Sequence, residues 1–246
     1  MNLSIKKTRE LLEKLMSAVK DAVFPLYSDE PTEKAVESAL NALAKLTDEG
    51  TARAFILKLP EIKDLIVSDV VAISENDPAA ADEREIVFCY PAVTAMLHYC
   101  SAHVLLSLGV EVLPRMLTEM AHSQTGIDIH PAAQIGACFA IDHGTGVVVG
   151  ATSIIGKHVT LYQGVTLGAK NFRYDECGRP IDQPRHPVLE DNVTVYSNTS
   201  ILGRVRIGHD TIVGGNVWLT HDVPPHSRIL QRKAVSAQHF IDGEGI

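Results

Sequence analysis

The chain has 246 residues, a formal net charge of −8, and 46% hydrophobic against 21% charged residues. This is the composition of a soluble globular protein with enough apolar material to bury a core. The negative balance argues against a general nucleic-acid binder, which needs a basic face.

Aromatic residues make up only 5%, so the core must come from Val, Ile, Leu and Ala. Cys89, Cys100, Cys138 and Cys177 stand far apart, with no C-x-x-C, and read as free thiols in a reducing compartment. The opening MNLSIKKTRELLEKLMSAVK is too charged for a signal peptide. No apolar run approaches the roughly 18 residues of a membrane span. The expectation is a cytoplasmic protein with no membrane partner.

Residues 1–125 read as a helical, oligomerising domain. Leu11, Leu12, Leu15 and Val19 recur at helical spacing between Leu3 and Val23. Pro31 and Thr32 open a second helix carrying Val36, Leu40, Leu43 and Leu46, with Gly50 just past its end. Further helices are predicted over Ala54–Val71, Asp82–Leu108 and Val112–His122, with Pro91 as a kink or a start. Asn76-Asp77-Pro78 is a turn signal.

From Ile127 an aliphatic residue returns every six positions. Ile129, Ile135 and Ile141 are followed, after a two-residue slip, by Val149, Ile155, Leu161 and Leu167. The register resumes at Leu189 and continues to Leu219. Small or β-branched residues such as Ala133, Thr145, Ser153 and Val159 sit four positions after many of them, and Gly, Asn and Asp fill the corners. A six-residue period is neither helical nor a simple alternation; it is a β-helix signature, one hexad per side of a triangular coil. At three hexads per coil the visible repeat makes a little over four coils. The fold class expected is α+β, with the β-helix at 126–231, an extended loop at 170–187 that breaks the period, and a C-terminal tail at 232–246.

His143 falls where the register slips, among small neighbours. Histidine is the natural general base near neutral pH, although a solvated corner histidine fits the local pattern as well. Asp128 lies slightly less than one coil earlier and is either the partner that orients His143 or a turn aspartate. Arg185 and His186 end the loop, where a guanidinium could clamp a small carboxylate or simply be solvated. His130, His158 and His209 read as corner residues.

The stretches DIHPAAQIG, IDHGTGVVVGATSIIGKHVTLYQGVTLGAK and RHPVLEDNVTVYSNTSILGRVRIG resemble the serine O-acetyltransferases of cysteine biosynthesis, as does the coil-ending HDVPPHS. The resemblance spans roughly residues 70 to 228. It implies a left-handed parallel β-helix that transfers acetyl from acetyl-CoA to the hydroxyl of L-serine, without a metal. It makes His143 the general base and Asp128 its orienting partner. Asp77, Asp142, Arg185 and His186 match serine-pocket positions. Gly168, Ala169 and Ser197 match the stretch along the CoA arm. Trimers with active sites between neighbouring coils are implied, often paired into hexamers. The tail FIDGEGI, ending in Ile246, resembles the peptide that enters O-acetylserine sulfhydrylase. The sequence departs from the family at Thr94 and Cys100, where His and Arg are expected. RILQRKAVSAQ replaces the usual Gly-x-Pro-Ala-Arg segment.

Other readings remain open at this level. They are an acetyltransferase for a sugar or another hydroxyl, a metalloenzyme using His186, His221 and His226, covalent transfer through Cys138, and an inactive scaffold.

Overall fold

The computed structural model describes residues 3–171, 174–179, 181 and 183–231. Six helices come first: α1 (Ile5–Val23), α2 (Thr32–Ala44), α3 (Glu49–Asn76), α4 (Glu83–Cys89), α5 (Pro91–Ser107) and α6 (Leu113–Thr125). Their ends have local causes. Ser4 Oγ accepts from Lys7 N at 3.2 Å to start α1, Asp48 Oδ1 from Thr51 N at 2.9 Å to start α3, and Asp82 Oδ1 from Glu85 N at 2.8 Å to start α4. Pro91 occupies the first turn of α5, which tolerates a missing N–H, so the stretch expected over Asp82–Leu108 is two helices. The Asp48 cap also places Gly50 inside the first turn of α3. Gly126, at φ 72°, ends α6 and turns the chain into the coil.

The remaining fold is a three-sided parallel β-helix. The first face stacks β1 (Asp128–Ile129), β4 (Val148–Val149), β7 (Thr166–Gly168), β10 (Ser200–Leu202) and β13 (Trp218–Leu219). The second stacks β2 (Gln134–Ile135), β5 (Ile154–Ile155), β8 (Val188–Leu189) and β11 (Arg206–Ile207). The third stacks β3 (Ala140–Asp142), β6 (Thr160–Tyr162), β9 (Thr194–Val195), β12 (Ile212–Val213) and β14 (Arg228–Ile229). The last strand, Arg228–Ile229, extends the solenoid to nearly five coils, beyond the hexads visible in the sequence. Every expected inward aliphatic from Ile129 to Leu219 is buried except Ile135, which is half-buried. Thr145 departs from expectation. It is exposed, and Val147 fills the inner position, because the slip between Ile141 and Val149 is absorbed at the corner before Val147.

Corner residues adopt left-handed backbone. Cys138, His158, Asn192, Asp210 and His226 have positive φ between the second and third faces; His143, Asn198 and Asn216 have it between the third and first. Asn, Asp and His enter this region more readily than branched residues, which explains the polar corners.

The helices cap the first coil. Ser68 Oγ accepts from Cys138 N at 3.1 Å and Asp69 Oδ1 from Phe139 N at 2.8 Å. Tyr99 donates its hydroxyl to Ala133 O at 2.7 Å. Phe139 is fully buried in this seam. The docking brings the C-terminal end of α3, with Asp77 just beyond it, beside the end of β3 at the corner between the third and first faces.

Candidate active site

The predicted residues fall into two groups on opposite edges of the first face. One group occupies the corner between the third and first faces. His143 has φ 56° and a 74% exposed side chain, with Nδ1 3.7 Å from Asp142 Oδ1. Gly144 has φ 87°, the left-handed backbone that favours glycine, and a Cβ there would also press on Ile127 Cδ1 at 2.5 Å. The helical cap adds Asp77, which lines one small pocket with Asp142, Asn76, Thr160 and Tyr162. Asp77 accepts from Tyr90 Oη at 2.6 Å and from Ala79 N at 2.8 Å. The Tyr90 bond, then the Ala79 bond and the nearby His143, hold its carboxyl below the usual range. The same bond, with burial, pushes Tyr90 up to about 12. Tyr162 stacks on Tyr196 with ring centroids 4.7 Å apart. Two carboxylates beside a histidine suit an ammonium group next to a proton to be removed.

The second group lies on the first face and its far edge. Asp128 stands 3.7 Å from Arg115 Nη1, and Arg115 also pairs with Glu119. Within one chain Asp128 does not touch His143. Arg185 and His186 end the loop at this edge and are fastened by two residues the sequence reading missed, Thr152 and Arg204. Thr152 Oγ1 accepts from Arg185 N at 2.9 Å and from His186 N at 3.1 Å. Its hydroxyl lies 2.8 Å from His186 Nδ1, and Thr152 N donates to that same nitrogen at 3.1 Å. Arg204 Nη1 donates to Thr152 O at 2.7 Å and His186 O at 3.0 Å. The ring lies against Gly150, where a Cβ would fall 2.0 Å from His186 Cδ2. Burial, then the neighbouring Arg185, His130 and Arg204, push His186 down to about 4. Neutral, with Nδ1 accepting, it carries its proton on Nε2.

Gly168 and Ala169 lie at this same edge, beside a pocket of about 360 Å³ lined by Lys170, Arg185, Leu202 and Arg204. Ser197 lies on the opposite edge, above His143 at the corner after β9. Ile246 lies outside the described residues.

The alternative chemistries lose their geometry. His186 is fastened at the edge after the first face, whereas His226 sits at the corner between the second and third, so the His186–His221–His226 set is not assembled. Cys138 sits at that same corner, with its backbone N donating to Ser68 and, among the described residues, no histidine bonded to it. Cys100 is buried in α5, a position that leaves no solvent for an arginine head group.

Residues 186–221 match the family model described as bacterial transferase hexapeptide (six repeats). A serine acetyltransferase, plasmid, of Synechococcus elongatus is 48% identical over 222 residues, covering 90% of this chain and 69% of its own length. The crystal structure of Entamoeba histolytica serine acetyltransferase 1 in complex with L-cysteine superposes with a TM-score of 0.78 at 34% identity, covering 88% of this chain and 86% of that one. The Neisseria gonorrhoeae serine acetyltransferase in complex with serine gives 0.63 at 25% identity, covering 90% and 97%. The three-sided coil is therefore the left-handed hexapeptide β-helix. Since the cyanobacterial likeness runs through both the helical cap and the coil, the chain belongs to the serine acetyltransferase family.

Proposed function

We propose that this serine acetyltransferase transfers acetyl directly from acetyl-CoA to L-serine, with His143 as general base. The observation that carries the reading is the convergence of Asp77, Asp142 and His143 on one corner. His143 takes the proton from the serine hydroxyl as its oxygen attacks the thioester carbonyl. The carbon–sulfur bond then breaks, and the imidazolium returns the proton to the CoA thiolate. Products are O-acetyl-L-serine and CoA. Asp77 and Asp142 receive the serine ammonium. Arg185 and the Nε2–H of His186 receive its carboxylate.

The two groups sit on opposite edges of one face, so one chain does not complete this site. A second copy laid edge to edge does, which supports a trimer with three shared sites, alone or paired into a hexamer. Across that junction Asp128 reaches the His143 of the neighbour. Gly168 and Ala169 give the CoA arm a low edge, with Lys170 and Arg204 beside it as cations for phosphate. Ser197 lines the arm from the facing copy. This local positive pocket fits a polyanionic substrate despite the acidic whole.

Thiol release from acetyl-CoA tests the reaction. L-Serine should support it, and L-threonine and sugars should not. His143→Ala should lose two or more orders of magnitude in turnover while acetyl-CoA still binds, about what general-base catalysis supplies; near-normal turnover would remove His143 from the mechanism. The tail supports a second contact, with O-acetylserine sulfhydrylase. The FIDGEGI segment combines two acidic residues with an apolar Ile246, the chemistry of a short peptide anchored by one side chain in a pocket, so Ile246→Ala should abolish co-elution of the two proteins.

A further inference from the structure

We propose that His209, Asp210 and His226 form a site for a divalent transition-metal ion of the zinc type, which staples the last coil to the one before it. The site lies at the corner between the second and third faces, away from both edges that carry the transferase residues. His209 Nδ1 is 2.6 Å from Asp210 Oδ2, and His226 Nδ1 is 3.6 Å from the same oxygen. The three ligand atoms all lie within 4.8 Å of one another. The two imidazoles stand edge to face, with centroids 4.8 Å apart and planes at 87°.

Zinc bonds to imidazole and carboxylate are about 2.0–2.2 Å, which puts tetrahedral donors roughly 3.4 Å apart. The His226–Asp210 pair already has that separation. The His209–Asp210 pair reaches it by opening roughly 0.8 Å, a small side-chain rotation.

The backbone holds the ligands in place before any ion arrives. Asp210 and His226 occupy left-handed corners stacked in consecutive coils. Asp210 N donates to Asp191 O at 3.1 Å, and His226 N to His209 O at 2.9 Å. Outer partners orient the ligands too. Asn192 Nδ2 donates to Asp210 Oδ1 at 3.0 Å, which leaves Oδ2 to the imidazoles, and Glu190 Oε2 accepts from His209 N at 3.0 Å. Two imidazole nitrogens and one carboxylate oxygen select zinc, cobalt or nickel over magnesium or calcium. Three protein ligands leave a coordination position for water.

The experiment uses the full chain, stripped with chelator and titrated with Zn²⁺ and Co²⁺ alone by calorimetry and visible absorption. The wild type should take up the ion saturably, and Zn²⁺ should raise its unfolding temperature. His226→Asn and Asp210→Asn should each weaken uptake at least about tenfold and lose the thermal shift, with acetyl transfer unchanged. Asparagine keeps the left-handed corner, as Asn192, Asn198 and Asn216 do. Glu119, His122 and Asp128 form a second cluster of ligand atoms, so His122→Ala is the control and should leave affinity intact. Equal affinity in wild type and both corner variants, loss of uptake in His122→Ala alone, or no saturable uptake at millimolar ion would each overturn the proposal.

Discussion

His186 shows how much of the site is set by single hydrogen bonds. Thr152 N donates to its Nδ1, so only the Nε2–H tautomer fits. The Thr152 hydroxyl meanwhile pairs two backbone N–H groups at the end of the loop. Thr152→Val keeps the shape and leaves both N–H groups without an acceptor, at a cost of about 1–3 kcal/mol in local order. We expect the KM for L-serine to rise about tenfold or more, with the KM for acetyl-CoA changed less; an unchanged serine KM would detach Thr152 from the site. The depressed pKa of His186 also has a stability sign. In the fold it is pushed down to about 4, below the ordinary histidine value of 6.5. The unfolded chain therefore binds more protons between those limits, so stability is fully present above about pH 6.5 and is lost as pH falls toward 4. Denaturant unfolding at pH 7 and pH 5 should show a loss that shrinks in His186→Asn.

At the scale of elements, the seam between α3 and the first coil decides where Asp77 sits. Phe139 fills it, and Phe139→Ala should destabilise the protein by about 3–5 kcal/mol, read from denaturant midpoints. Asp69 is buried beside it and holds one backbone N–H. Burial pushes its carboxyl well above the ordinary value. The folded state then retains a proton that the unfolded state releases, so Asp69 costs stability as pH rises. Asp69→Asn keeps the acceptor and removes the charge; its unfolding temperature should exceed wild type at pH 8 and converge with it near pH 4. A destabilised variant at pH 8 would mean that a partner other than Phe139 N sustains the charge.

For the whole molecule, the proposed sharing of each site between two copies makes a quantitative demand. Arg185→Ala and His143→Ala copies are each expected to be inactive alone. In a ring of heterologous interfaces, co-folding equal amounts places an intact His143 edge against an intact Arg185 edge in about a quarter of the junctions. Recovery of about a quarter of wild-type activity on mixing supports shared sites. No recovery would place each site within one chain. Among the described residues no helix is long and apolar enough to cross a membrane.

The six-residue period alone determined the coil, because each hexad carries its own inward aliphatic and its own corner, and no distant residue is needed to read either. The motif around His143 was likewise legible, being contiguous. Helix boundaries are legible where a cap is local; Gly50 resembles a terminator in sequence, but the Asp48 cap puts it inside α3. Thr145 was misassigned because a slip can be absorbed at more than one corner. Tertiary structure alone decided what stacks on what. Thr152 and His186 are 34 residues apart because the loop adds an offset unrelated to the repeat. His226 met His209 and Asp210, rather than the neighbouring His221, because stacking places corner above corner across a whole coil. The separation of Asp128 from His143 onto different parts of one face is also a property of the coil's circumference. Sequence spacing measures path length around that circumference, whereas chemistry depends on the distance across it.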